Sequence, residues 1–490
     1  MESLIVKSRL DKEYVLNNGK SKNVVVQVNL EASKDLVAST NRGTHFCIVL
    51  DVSGSMYWAI DKIENLKNEN KKIIENKAAI AVSAEEFPGT IDIALNSIKK
   101  LFNKLGPKDK VSLITYNEDA KIIFERCSIT DKAFMISQLN KVDEQPDNEL
   151  AKFTNISTSL HLANEVLSKY EQDNRKIIFL TDGRPSFNEV RNGKPVDTIE
   201  ECIAASNSIS NSSIAIDYIG LECTKFKLKD SEELDFAFLE ELSKKSNGSV
   251  YLVKDEESCD VNFSTIINNS KKASIPRAKL KLQLNSDIDF GDYYMVQPQN
   301  KYCGKLIPNK NRIVTIDLNE ISKDKTYSFL CSLNINTDKY TNVDNIELMK
   351  VKADYTVDVN DTQEIRKTPV KKVLLSIGND KEKAMHINGS VKDSYEIATI
   401  KKYEREYQYA YKNKQRAGVI YNIEKIIDIY EEQGEKELAD INRKLLLKYK
   451  QEGLITQEDI NKQSNLSTTV KTEVPVITGR PIKRKIRVSR

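Results

Sequence analysis

Asp51-Val52-Ser53-Gly54-Ser55 puts one carboxylate and two hydroxyls at alternate positions, directly after the apolar run Phe46–Leu50. Oxygens at i, i+2 and i+4 share one turn of chain. Hard, oxygen-only donors suit Mg²⁺, Mn²⁺ or Ca²⁺ and not zinc. Gly54 lets the backbone approach an ion closely. The same five residues also read as a loop that caps a helix, so the segment alone decides nothing. A second carboxylate comes from Thr181-Asp182-Gly183, again directly after an apolar run, Ile177–Leu180. A polar loop, Lys152-Phe153-Thr154-Asn155-Ile156-Ser157, opens a helix and offers the neutral oxygen of Thr154.

These loops need a scaffold that gathers them. Between about 43 and 270, short apolar runs alternate with amphipathic stretches. Val111–Tyr116 follows Ile91–Leu105, Ile214–Gly220 follows Thr198–Ile209, and Val250–Val253 follows Phe236–Ser246. Continuous apolar strands separated by helices predict a parallel sheet covered on both faces. Such sheets carry their ligand loops at the carboxyl ends of the strands, where Asp51 and Asp182 fall.

The DxSxS segment, the threonine loop and the TDG segment, in that order, resemble the von Willebrand factor A (vWA) domain and its metal-ion-dependent adhesion site (MIDAS). The resemblance covers about residues 43–270 and implies a doubly wound α/β fold. It also implies a metal site of Asp51, Ser53, Ser55, Thr154 and Asp182. Bacterial members often carry Gly-Gly where this chain has Lys152-Phe153, which leaves Ser157 or Thr158 as substitutes for Thr154. The spacing from Asp51 to Asp182 exceeds that of a compact member, and residues 57–88 read as an insertion on the metal face. Tyr57 and Trp58, beside many charges of both signs, make that insertion a candidate cap that selects a partner; the alternatives are that Trp58 packs in the core and that Ile60, Ile63, Leu66, Ile73 and Ile74 extend the core as a helix.

The rest of the chain frames this domain. Residues 1–42 hold two strands that lack a core of their own and are expected to pair with a later β region. Residues 275–377 alternate apolar and polar positions and predict an antiparallel β-sandwich. Residues 391–453 carry three stripes of helical period and predict a small bundle. Residues 465–490 end in GRPIKRKIRVSR and read as a flexible basic tail. The fold class expected is therefore α/β of vWA type, plus a β-sandwich region and a C-terminal helical bundle. This order resembles intracellular multidomain vWA proteins with flanking β and C-terminal helical regions. Asp287–Asp292 superficially resembles a calcium loop but lacks the acidic twelfth position, and is expected to be a polar turn.

Composition excludes several classes. The chain has 490 residues, with Lys+Arg 75 against Asp+Glu 72, so its net charge of +3 does not predict nucleic-acid or membrane binding outside the basic tail. Seven cysteines with no CxxC spacing argue against a disulfide framework and a Cys-based zinc site, and fit reduced thiols in the cytoplasm. No secretory leader or spanning segment is evident. Three scattered histidines and the absence of Walker A, GxSxG, HExxH and GxGxxG motifs argue against an enzyme. The expectation is a cytoplasmic, non-enzymatic scaffold. Its Mg²⁺ (or Mn²⁺/Ca²⁺) site would engage an Asp or Glu of a partner protein within an assembly. A self-associating scaffold with a relic site, and a metal-dependent hydrolase, are the alternatives.

Overall fold

The computed structural model describes residues 3–33, 43–57, 90–143, 153–171, 173–182, 190–191, 194–212, 214–221, 236–246, 248–271, 273–275, 277–318, 321–323, 325–340, 343–359 and 362–469. The insertion at 57–88, with Trp58, lies outside them except for the backbone of Tyr57. So does the tail beyond Thr469.

The chain opens with β1 (Leu4–Leu10), β2 (Tyr14–Leu16) and β3 (Ser21–Ala32). It then builds the α/β domain. Its strands are β4 (Thr44–Asp51), β5 (Lys110–Tyr116), β6 (Ala120–Ser128), β7 (Asn174–Thr181), a two-residue hairpin of β8 (Val190–Arg191) and β9 (Lys194–Pro195), β10 (Ala215–Leu221) and β11 (Val250–Val253). Its helices are α1 (Thr90–Phe102), α2 (Lys132–Asp143), α3 (Ile156–Ser168), α4 (Ile199–Asn211), α5 (Phe236–Ser246) and α6 (Glu256–Lys271). The main sheet runs β11-β10-β7-β4-β5-β6 and is parallel except for β6.

Side-chain alternation explains why the strand runs are apolar throughout. Phe46, Ile48 and Leu50 pack on one face with α1, α2 and α6, while Cys47 and Val49 pack on the other with α3, α4 and α5. The next described helix after β4, α1, lies on one face, and the next after the adjacent β7, α4, lies on the other. The sheet therefore opens a crevice at the carboxyl ends of β4 and β7, where such folds seat ligands.

After α6 come β12 (Ala273–Ile275), β13 (Arg277–Leu284), β14 (Ile288–Gln297), β15 (Lys301–Lys305), β16 (Ile313–Leu318), β17 (Ile321–Ser322), β18 (Thr326–Asn336), β19 (Val343–Val359), β20 (Thr362–Lys367) and β21 (Lys371–Gly378). One sheet runs β1-β3-β18-β14-β15, and the second β16-β13-β19-β21-β2, with β20 beside β19. Their inner faces share one core, in which Val26, Val28 and Phe329 of the first sheet join Leu280, Val351 and Leu375 of the second. The N-terminal strands are integral to both sheets: β3 pairs with β18 along its length, and β2 adds to β21 in parallel. Of Asp287–Asp292, only Asp287 lies in the turn, and Ile288–Asp292 is strand. Ile288 is buried opposite Ile335, and the segment enters β14.

The helical region holds α7 (Lys381–Met385), α8 (Gly389–Lys412), α9 (Arg416–Glu432), α10 (Lys436–Glu452) and α11 (Gln457–Thr469). The last helix corrects the sequence reading, which ended the bundle at 453 and began the tail at 465. Its face is polar yet packed. Asn461, Gln463, Ser464 and Ser467 are buried, so no apolar period announces it. Asn461 Oδ1 accepts from the Phe236 amide at the start of α5 (3.2 Å). Lys401 of α8 pairs with Glu240 of α5 (2.9 Å) and with Glu404 (3.3 Å). Lys401 also donates to the Ser464 carbonyl, and Ser467 Oγ donates to Glu404. The helices thus grip the α/β domain by α5.

Candidate metal centre

β4 is buried along its whole length and ends at Asp51. There the chain turns. The Val52 amide donates to the Tyr116 carbonyl (2.8 Å), the Met56 amide donates to the Ser53 carbonyl (3.0 Å), and a 3-10 turn covers Gly54–Tyr57. Met56 is buried in the core beneath α1, which draws the turn down onto the sheet. The Asp51 carboxylate is held by three donors. Oδ1 accepts from the Ser53 amide (2.8 Å), and Oδ2 accepts from Thr181 Oγ1 (2.7 Å) and Tyr116 OH (3.3 Å).

The register of β4 on β7 sets Leu50 against Leu180, so the residues that follow meet above the sheet edge. Ser55 Oγ donates to Asp182 Oδ1 (2.8 Å) and lies 3.2 Å from Ser53 Oγ. Asp51, Ser53, Ser55 and Asp182 thus form one connected set of oxygens. Asp51 and Ser53 are buried, while Ser55 and Asp182 are half-buried. The Asp51 carboxyl is raised above its usual range by burial, which outweighs its bonds to Ser53, Thr181 and Tyr116. Asp182 is raised well above its range, first by burial and then by the charge of Asp51. No described residue gives either carboxylate an ion pair.

That donor set fits a small, hard divalent cation. Among the described residues, neither carboxylate has an ion-pair partner, hydroxyls stand beside both, and no nitrogen or sulfur side chain joins the set. Among the described residues, no three of His, Cys, Asp or Glu gather into a cluster, and the oxygens beside the two carboxylates are the hydroxyls of Ser53 and Ser55.

Thr154 enters from a third element. It is buried, one residue before the N-cap of α3. The Asn155 amide donates to the Asn117 carbonyl (2.7 Å), one residue past Tyr116, which brings the loop to the same end of the sheet. Of the substitutes, Ser157 has its hydroxyl engaged elsewhere, and Thr158 is held by its backbone. Ser157 Oγ donates to Asn155 Oδ1 (3.1 Å), and the Thr158 amide is capped by that same oxygen.

Sequence reasoning missed the residues that hold these oxygen-bearing side chains and loops in place. Tyr116 ends an apolar strand, and Thr181 sits inside the TDG segment, where each passed for framework. Asp197, before α4, reads as an ordinary helix start. Its carboxylate in fact reaches across to α3, and Oδ2 accepts from the Ile156 (2.7 Å) and Ser157 (3.2 Å) amides.

At the opposite end of β4 lies a second arrangement. His45 Nε2 is 2.8 Å from Ser112 Oγ, and Nδ1 is 3.8 Å from Asp173 Oδ2. The order serine–histidine–aspartate is that of nucleophilic hydrolases. Here it is sealed. His45 and Ser112 have no exposed surface, Ser112 Oγ accepts from the Arg126 amide, and Asp173 is bound in a fork by Arg126. A substrate carbonyl has no route to Ser112. Burial lowers His45 to about 4 despite the charge of Asp173, so the ring is neutral and structural.

The sheet order, the crevice at β4 and β7 and the oxygen set define a vWA-type α/β domain. A profile of the von Willebrand factor type A domain matches residues 46–184, and the chain carries a vWA domain. Two solved structures extend the likeness beyond that domain. The von Willebrand factor type A protein from Catenulispora acidiphila aligns with a TM-score of 0.67 at 13% identity, covering 94% of this chain and 96% of its own. The ArnB paralog VWA2 from Sulfolobus acidocaldarius aligns with a TM-score of 0.52 at 15% identity, covering 96% and 99%. At these identities the likeness is one of fold. No curated protein sequence matches the chain. Among the described residues, no helix is long and apolar enough to cross a membrane.

Proposed function

We propose that this protein is a non-enzymatic binding module of an intracellular, cytoplasmic multiprotein assembly. In this reading it engages a partner carboxylate through a divalent cation, Mg²⁺ or Mn²⁺ in preference to Ca²⁺, at a MIDAS. Asp51, Ser53, Ser55, Thr154 and Asp182 would hold the ion. The observation that supports this most is the connected oxygen set at the sheet edge, with two carboxylates that no described residue neutralises. The ion would supply an electrophilic centre able to take one more anionic oxygen. Asp51, fixed by three donors, would keep its position whether or not a partner is present. Free thiols at Cys47, Cys127, Cys202, Cys259, Cys303 and Cys331 support a reducing compartment. The sandwich and helices, which clasp the domain through α5, would present it at a defined angle.

Calorimetric titration with Mg²⁺ tests the site, and capture of partners with Mg²⁺ against EDTA tests its use. The reading requires Mg²⁺ binding that Asp51→Ala abolishes, and capture that EDTA reverses. Unchanged Mg²⁺ affinity in Asp51→Ala would refute the site. Self-association that ignores the metal, with no metal-dependent capture, would favour a scaffold with a relic site.

A further inference from the structure

Four of the five proposed ligands sit at the ends of two adjacent strands, which the sheet itself aligns. Thr154 has no such support. It lies in a loop between β6 and β7 in the chain, and Lys152-Phe153 precede it. Something else must set its position.

The structure shows a carboxylate doing so from a distant part of the chain. Asp197 is fully buried and precedes α4, fifteen residues past Asp182. Its Oδ2 accepts from the Ile156 and Ser157 amides, the first two residues of α3, and from Cys202 Sγ (3.1 Å). Its Oδ1 accepts from the Thr198 amide (3.0 Å). One anionic group therefore joins the amino ends of two helices. Both helix dipoles favour negative charge there, and charge-assisted bonds to amides are strong. Asn155, between Thr154 and the clamped amides, is tied on both sides: its own amide to the Asn117 carbonyl, its side-chain Nδ2 to the Val196 carbonyl next to Asp197 (2.9 Å). The backbone carrying Thr154 is thus fixed from one side by the strand that touches Asp51 and from the other by Asp197.

We infer that Asp197 is a positioning residue for the metal site, whose buried carboxylate clamps the start of α3 so that the Thr154 hydroxyl stands at the cation. This rests on the metal reading above. It makes the charge of Asp197 part of the site although it touches no ligand oxygen. Groups that orient ligands in this way change metal affinity by about tenfold or more when removed. Asparagine is a poor replacement, because its amide nitrogen would face either the α3 amides or the Thr198 amide.

The test is a double-mutant cycle on the full chain, with Mg²⁺ alone as the probe and calorimetric affinity as the readout. Thr154→Ala and Asp197→Ala are each expected to weaken Mg²⁺ binding about tenfold. The double variant is expected to be no weaker than Thr154→Ala. Melting in EDTA reports any purely structural loss. If Asp197→Ala does not fold, Asp197→Asn, which keeps one acceptor for α3, takes its place and is expected to give a smaller, equally non-additive loss. Equal weakening with and without Thr154 would overturn the inference, because a merely structural role acts regardless of that hydroxyl. Unchanged affinity in a folded Asp197 variant, or in Thr154→Ala, would also overturn it while leaving the site of Asp51 and Asp182 standing. No Mg²⁺ binding by the parent protein would remove the metal reading itself and this inference with it.

Discussion

Replacing His45 by Gln, and separately Glu404 by Gln, should tilt the pH dependence of stability in opposite directions. Both groups are buried, and burial is the leading cause of each shift. His45 falls from 6.5 to about 4, and Glu404 rises from 4.5 to about 7, opposed by Lys401 and reinforced by Glu240. Burial disfavours the charged form of each, but a base and an acid answer with opposite signs. For His45, the unfolded chain binds the extra proton, so its contribution is present above pH 6.5 and lost as pH falls through 4. For Glu404, the folded chain keeps the proton, so its contribution is present below pH 4.5 and lost as pH rises through 7. Between pH 7 and pH 5, linkage with these pKa values makes His45 cost about 2 kcal/mol and makes Glu404 return about 2 kcal/mol. The parent protein therefore conceals two steep dependences that nearly cancel, in separate parts of the molecule. Urea series equilibrated at each pH, then labelled by a deuterium pulse at one common pH, read the unfolding midpoint of each region from its own peptides. In His45→Gln, the acid-induced fall of the midpoint over residues 44–51 should shrink by the equivalent of about 2 kcal/mol. In Glu404→Gln, the acid-induced gain over residues 389–412 should vanish. A His45→Gln protein with the parental pH dependence would show that the imidazole is not the buried neutral base described here.

Three further outcomes follow from the packing. Lys401→Met leaves the buried Glu404 and the half-buried Glu240 without their shared cation, and should cost about 3 kcal/mol, read as an early melting step of the α8–α11 region. Asn461→Ala removes the acceptor at the amino end of α5 and should cost about 1 kcal/mol, with faster amide exchange at residues 236–246. In Gly248→Ala the new Cβ would lie 1.5 Å from the Ile216 carbonyl oxygen, a backbone atom that cannot move aside, and the soluble yield should collapse.

Much of this architecture is legible in the residues because the forces behind it are periodic. Runs such as Phe46–Leu50 signal a strand covered on both faces, and the change from apolar to oxygen-bearing residues at Asp51 and at Asp182 marks the sheet edge. Alternation in Arg277–Leu284 and the stripe Val419, Ile423, Ile426 and Tyr430 are equally direct. What escapes is whatever depends on a partner far away in sequence. The polar helix α11 has no apolar stripe to betray it, because its buried face is satisfied by hydrogen bonds to α5 and α8. Asp197 looks like any helix-initiating aspartate until the fold brings α3 against it. The parallel pairing of Tyr14–Leu16 with Ser376–Gly378 joins segments about 360 residues apart, and nothing local in either segment points to the other.

The pairing of β3 with β18 imposes an order on synthesis. Val26 stands opposite Leu10 on one side and Cys331 on the other. At ~5–20 residues per second, a ribosome needs roughly 15–60 s to make the residues between Val26 and Cys331. For that interval one edge of β3 lacks its partner, and the apolar face of Val24, Val26, Val28 and Leu30 lacks the sheet that covers it. An unpaired apolar edge is a template for pairing with other chains. All strands of the main vWA sheet, β4 to β11, are made within the same interval, and each finds its strand partners among the others. The nascent protein can therefore pair the whole vWA sheet before it can complete the β-sandwich, and β3 has to stay out of wrong pairings until β18 arrives.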